Sequence, residues 1–155
     1  MAKEDRNPFE TGPYVQVAAF CEKVLREADG VVSLIRVIDV ITHSERGANP
    51  PQEMPAIRYP LTLVLTLKAG TARGRHEVTL TPELPSGETL PSNTVTVQME
   101  GEGRGVNFFS QIDIPYTLEG LYWFHVKFDE HVITRLPLQV RYSRTVTGST
   151  AQQTS

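Results

Sequence analysis

Residues 61–68 read LTLVLTLK, with a leucine at every second position. A period of two places these leucines on one face of a β-strand. Comparable apolar segments recur at residues 31–42, 76–84, 93–99, 106–114, 121–128 and 131–142. Glycine and proline clusters separate most of them, among them Gly70 to Gly74 and Gly101 to Gly105. Many short strands at this spacing, without helices between them, predict an all-β fold, an antiparallel sandwich of about eight strands.

The length and composition of the chain suit one globular domain. Its 155 residues are 39% hydrophobic and 21% charged, which is sufficient for a single core. Residues 1–12 are predicted to form a flexible arm, and residues 144–155 a disordered tail, because neither has enough apolar surface to offset the entropy of ordering it. The sandwich domain is predicted to span residues 13–143.

The segment from Tyr14 to Gly30 has two interpretations. Its apolar residues follow helical spacing, with charged residues between them. The first half, YVQVAAFC, also reads as a strand that turns into a short helix at Glu22. In both interpretations Glu22 to Ala28 is helical, so we expect one short helical turn near the N-terminus.

Pro137 bears on the position of the last strand. It interrupts the apolar run Leu136–Val140. Proline has no N–H to donate to a strand ladder, so the final strand is predicted to lie at a sheet edge.

Residues 117–124 read TLEGLYWF and resemble the corner that leads into the sixth strand of immunoglobulin-like domains. Gly120 precedes Tyr122 by two positions, and Phe124 stands where secreted members carry a cysteine. The resemblance implies an immunoglobulin-like β-sandwich and says nothing about activity.

A second resemblance covers residues 20–37. Cys21-Glu22, Glu27, Gly30 and the run Ser33-Leu34-Ile35 are similar to the opening of a family of uncharacterised bacterial proteins known only as a domain of unknown function. The resemblance implies a bacterial origin and supplies no activity.

Charge and cysteine content limit the partners and the compartment. The formal net charge is −3, which argues against a nucleic-acid partner, since such binding depends on excess Lys and Arg. Cys21 is the only cysteine, so no intramolecular disulfide can form. Residues 1–10 lack the apolar core of a signal peptide, and no run approaches the length of a membrane helix. We therefore expect a cytoplasmic protein with no membrane partner and no cofactor.

Candidate catalytic and metal-binding residues do not converge in the predicted fold. His125, Asp129, Glu130 and His131 lie near one hairpin tip, where a two-residue turn would pair Phe128 with His131 and His125 with Thr134. Strand alternation then sends the two histidines to opposite faces, whereas zinc needs three or four convergent ligands. Residues of the hydrolase triad types also occur, without an elbow motif to present the serine: Asp39, His43 and Ser44.

The sequence has more apolar residues than one core face requires. If Tyr122 and Phe124 face the core, Trp123 points outward beside His125 and Lys127, and Phe109 likewise points outward from its own strand. Residues 31–41 are apolar on both faces. Either the N-terminal helical turn covers the second face, which is the favoured interpretation, or that face binds a partner.

These observations favour a non-enzymatic protein-interaction or assembly module, self-association included. Its predicted interaction surface consists of Trp123, Phe109, His125 and Lys127, and its partner is a protein or a second copy of the chain. The alternative is an enzyme or metal-binding site built from sandwich loops. It is the weaker hypothesis because enzymes need convergent titratable groups, and the sequence indicates no such convergence.

Overall fold

The computed structural model describes residues 6–148, which form nine strands and no helix. The strands are β1 (Tyr14–Arg26), β2 (Val32–Ile38), β3 (Val40–Gly47), β4 (Ile57–Arg58), β5 (Leu61–Glu83), β6 (Asn93–Ile112), β7 (Pro115–Tyr116), β8 (Gly120–Phe128) and β9 (His131–Val146). Seven strands form one mixed sheet in the order β2-β1-β5-β8-β9-β3, with β6 paired to β5, while β4 and β7 form a separate pair. No described helix has the length and apolar character to cross a bilayer.

The glycine clusters lie inside strands and do not form the turns that the sequence predicted. β5 and β6 pair along almost their whole length, with Gly70 opposite Glu102 and Gly74 opposite Met99. Gly70 has a φ of 58° and Gly101 a φ of 75°, which favour glycine, and the ladder shifts register on both sides of Gly70. Such irregularities bend a strand without ending it. The prediction of four short strands here is therefore wrong, because the glycines bend one long ribbon.

The sheet folds over so that its two halves face each other. The first half of β5 pairs with β1 and the second half with β8. Although β1 and β8 are not neighbours, the rings of Phe20 and Phe124 meet with centroids 4.9 Å apart. The core lies between the two halves.

The predicted alternation is confirmed on both halves. The four odd-numbered leucines of residues 61–67 are at most 1% exposed. On β8, the buried residues are Tyr122, Phe124, Val126 and Phe128. Even-numbered Thr62 and Val64 are buried as well, because β5 lies between β1 and β6 and neighbouring side chains cover its second face.

The predicted helical turn at Glu22 to Ala28 is wrong. β1 continues to Arg26 and pairs antiparallel with β2. The apparent helical period arises because Phe20 and Cys21 are adjacent and both buried, at 3% and 0% exposure. A strand covered on both faces can place apolar residues at helical spacing.

The last strand is not an edge, and the sheet is not purely antiparallel. β3 pairs with β9 in parallel, starting with Val40 opposite Gln139. A bend at Asp39 separates β2 from β3. The chain therefore changes its pairing partner from β1 to β9 within one residue. Pro137 precedes the first residue that pairs with β3, so its missing N–H interrupts no bond of that ladder.

Two features lie beyond the predicted domain limits. Phe9, within the predicted arm, packs against the core, with its ring 6.5 Å from that of Phe128. β9 continues past the predicted boundary at residue 143 and pairs with β3 as far as Val146. Residues 1–5 of the predicted arm and 149–155 of the predicted tail lie outside the described residues.

The corner before β8 has the geometry expected of a tyrosine corner. The hydroxyl of Tyr122 donates to the carbonyl oxygen of Leu118 at 2.9 Å and accepts from the Leu118 N–H at 3.1 Å. The ring is fully buried. A buried tyrosine that bonds the backbone a few residues upstream fixes the chain's entry into the strand.

Candidate functional site

The outer face of β8 carries three of the four residues predicted to form an interaction surface. Trp123, His125 and Lys127 alternate with the buried residues of the strand. Trp123 and His125 are half-buried, and Lys127 is exposed. Their outward direction is as the sequence predicted.

Neighbouring strands supply partners for the first two of these side chains. The guanidinium of Arg135 lies over the Trp123 ring, 4.6 Å from its centroid. His125 Nε2 lies 2.8 Å from Glu83 Oε2. Indole and imidazole are therefore part of a cross-strand layer on this face.

Phe109 does not join them. It lies on β6 opposite Val64, in the half of the sheet that pairs with β1, and Arg26 lies 5.0 Å from its ring centroid. Because the two halves pack through their inner faces, Phe109 and Trp123 lie on opposite outer faces. The predicted surface is thus divided in two.

The histidine and acidic residues near the β8–β9 turn do not converge. Phe128 pairs with His131 as predicted, but a register shift between Val126 and Lys127 pairs His125 with Arg135 and not with Thr134. Asp129 bonds His76. Within residues 6–148, no three His, Cys, Asp or Glu side chains are grouped as a metal site would require.

The candidate hydrolase residues are also separated. His43 Nε2 bonds Glu45 Oε1 at 2.9 Å, and the His43 ring stacks on Tyr142. Ser44 is the next residue of the same strand, so its side chain points to the opposite face. The two side chains therefore do not form the nucleophile–base pair of a triad.

His76 has an ionisable side chain held on both ring nitrogens, and no local sequence pattern indicates it. Its Nδ1 lies 2.7 Å from Asp129 Oδ2 and its Nε2 lies 2.8 Å from the carbonyl oxygen of Arg73. Both partners are acceptors, so both bonds form only when the ring carries two protons. The Asp129 carboxylate, by its hydrogen bond, raises the pKa of His76 above its ordinary 6.5.

Asp129 is fixed by the same contacts. Its φ is 53°, its N–H donates to the Glu77 carbonyl, and its Oδ1 accepts from the Glu77 N–H. Burial acts to raise the pKa of Asp129, but the bonds from Glu77 and His76 outweigh it and leave the pKa lowered. The cluster borders a surface depression of about 280 Å³ and ties the β5 bend to the β8–β9 turn. Its bonds account for a structural role.

The hairpin of β1 and β2 exposes apolar side chains along one face. Val37 is 62% exposed, Ile35 39% and Leu25 37%, and Val31 at the turn is 60% exposed. The register pairs Lys23 with Ile35 and Leu25 with Ser33, and paired residues share a face. We name Leu25, Val31, Ile35 and Val37 the hairpin face. Residues 31–41 are apolar on both faces, and the prediction that a helical turn covers one of them is wrong, because the N-terminal segment pairs beside β2 within the sheet.

Cys21 is no candidate nucleophile. It is 0% exposed, and burial raises the pKa of its thiol, opposed by a backbone hydrogen bond at Lys23. A thiol with a raised pKa forms little thiolate, which is the reactive species. Cys21 packs as a small apolar residue.

Comparison with protein families identifies one that covers most of the chain. The family model described as a family of unknown function, DUF6941, matches residues 16–141. The match includes the residues on which the resemblance to a domain of unknown function was based. A search of curated proteins found no match.

Proposed function

Because the chain belongs to the DUF6941 family, whose function is unknown, we propose a function from its surface: a non-enzymatic protein-interaction module that docks a protein through the hairpin face. The observation that carries the proposal is the exposure of Val37 and Val31, 62% and 60%, on a hairpin with further exposed apolar residues. Contiguous exposed apolar patches of this kind mark interaction sites, whereas isolated apolar side chains do not.

The alternative function, an enzyme or a metal site built from loops, has less support. The histidines engaged with acidic groups are held in separate pairs: His43 with Glu45, His76 with Asp129, and His125 with Glu83. Catalysis requires such groups to converge on a reacting atom.

Site-specific photo-crosslinking tests the proposal. We expect a photo-reactive amino acid at Val37 to capture a protein in cells that express the chain. The same amino acid at Val146 serves as the control, since Val146 is 60% exposed at the far end of β9. Adducts at both positions alike, or at neither, would reject the hairpin face as a docking site.

The Trp123 surface is the second candidate docking face of the same module. It consists of Trp123, His125 and Lys127, with Phe109 on the opposite outer face. Tryptophan is enriched at binding hot spots, which favours the Trp123 surface as a docking face. The Arg135 guanidinium over the ring argues for a structural role. A crosslinker at Lys127 distinguishes the two faces.

We further propose that the folded sheet is an immunoglobulin-like sandwich and that the protein works in the cytoplasm. The Tyr122 corner and the face-to-face packing of Phe20 on Phe124 support the first. A lone, buried Cys21 supports the second, because it leaves no intramolecular disulfide to form.

A further inference from the structure

The hairpin face has opposite charges on either side of an apolar centre. Lys23, Leu25 and Glu27 occupy every second position from the end of β1 into the turn that follows it. Ser33, the residue paired with Leu25, donates from its Oγ to Glu27 Oε1 at 3.1 Å. Glu27 therefore lies on the face of Leu25, as does Lys23, which pairs with Ile35.

This arrangement is complementary to itself. A two-fold axis at Leu25 would place each leucine on its counterpart and each Lys23 beside Glu27 of the other copy. Such an isologous contact uses the same patch on both molecules. We propose, on the basis of the function proposed above, that the partner of the hairpin face is a second copy of this chain, packed about this axis.

The available area sets the strength of the dimer. The hairpin face exposes on the order of 300 Å² of apolar side chain, within the range of functional patches on monomers. A standard interface buries roughly 800 Å² per partner, slightly more than half of it apolar. The hairpin face supplies most of that apolar share, so the dimer forms reversibly and at the weak end of specific association.

The backbone favours face-to-face packing over strand addition. β2 is an end strand of the sheet, so its outer edge has no neighbour among residues 6–148. Arg36 has a φ of 53°, and its guanidinium bonds the Glu22 carboxylate at 3.0 Å. A left-handed residue interrupts the regular edge that an added strand needs, and a charged residue on an edge opposes pairing.

A charge swap tests the proposal on the full chain. Sedimentation equilibrium at low salt should show wild-type mass rising with concentration. Lys23→Glu and Glu27→Lys should each weaken the dimer roughly tenfold, because each change places like charges together at two symmetric positions. The double variant Lys23→Glu/Glu27→Lys should recover most of that loss. Lys127→Glu is the matched control, since this exposed lysine lies on β8, and it should leave the dimer unchanged.

Each outcome decides between the two proposals. A wild-type protein that remains monomeric at all concentrations, or a double variant no better than the single ones, overturns the two-fold contact. If Val37 then crosslinks a different protein and Val146 does not, the docking function stands with another partner. If Val37 gives no adduct either, both proposals fall.

Discussion

The outer face of β8 and the hairpin face are both sheet surfaces with apolar residues directed away from the core, yet they differ in what lies over them. Arg135 covers Trp123, and Glu83 engages His125. Val37, the most exposed residue of the hairpin face, pairs with the small residue Cys21 on β1, and no strand of residues 6–148 lies beyond β2. The difference shows that cross-strand neighbours, as well as the strand's own alternation, decide whether an outward apolar residue remains available.

The largest expected effect concerns the two sides of β8. Trp123→Ala should destabilise by about 1–2 kcal/mol, since the ring is half-buried and packs under Arg135, while Phe124→Ala should cost roughly 3–5 kcal/mol as a fully buried aromatic. Denaturant unfolding of both variants measures the two losses in the free energy of unfolding. Equal losses would mean that Trp123 is as much a core residue as Phe124, and the outer layer would have to be redefined.

The effect of intermediate size is a pH dependence of stability, which we expect from the His76–Asp129 pair and from neither outer face. The folded-state pKa of His76 is raised, so its stabilising contribution is complete below the unfolded value of 6.5 and is lost as pH rises through the folded pKa. Thermal unfolding should show this decline in the wild type and not in His76→Gln. Asp129 has a lowered pKa, so its contribution is lost at the acid end instead.

The surroundings of His76 define the control for that measurement. The charged side chains around the ring include Asp129, which bonds it, and three residues that line the same depression: Arg75, Glu77 and Glu130. The control is His125→Gln, which removes another histidine–carboxylate pair and leaves the His76 contacts in place. If His125→Gln abolished the decline and His76→Gln did not, the assignment would be wrong.

The smallest expected effect on stability is at the hairpin face. Val37→Lys should change the free energy of unfolding by less than about 0.5 kcal/mol, because Val37 is 62% exposed. The same variant should abolish self-association. Val146→Lys makes the same chemical change at similar exposure and should alter neither. A large destabilisation by Val37→Lys would show that the hairpin face belongs to the fold and is not free for a partner.

The sequence was sufficient for the inner faces of the strands and insufficient for their connections. Strict alternation identified the buried side of β8 and of residues 61–67, because burying one face of a strand imposes a period of two. The glycine clusters predict turns, but the same left-handed conformations occur in turns and in bends of a long strand. The sequence does not indicate which strand lies beside β2. The prediction that a helical turn covers the hairpin face is wrong for that reason. His76 and Asp129 meet only in the folded chain, and no local pattern connects them.

The folded β5–β6 ribbon also has a kinetic consequence. Its two strands are consecutive in the chain and joined by a short connection, so closing the ribbon costs little loop entropy. The parallel pairing of β3 with β9 joins residues as far apart in sequence as Val40 and Gln139, so we expect this ladder to form later. We expect pulse-labelled hydrogen exchange to find the amide of Leu65 protected before that of Ile41. The parallel ladder that the chain enters after the bend at Asp39 would then form after the β5–β6 ribbon.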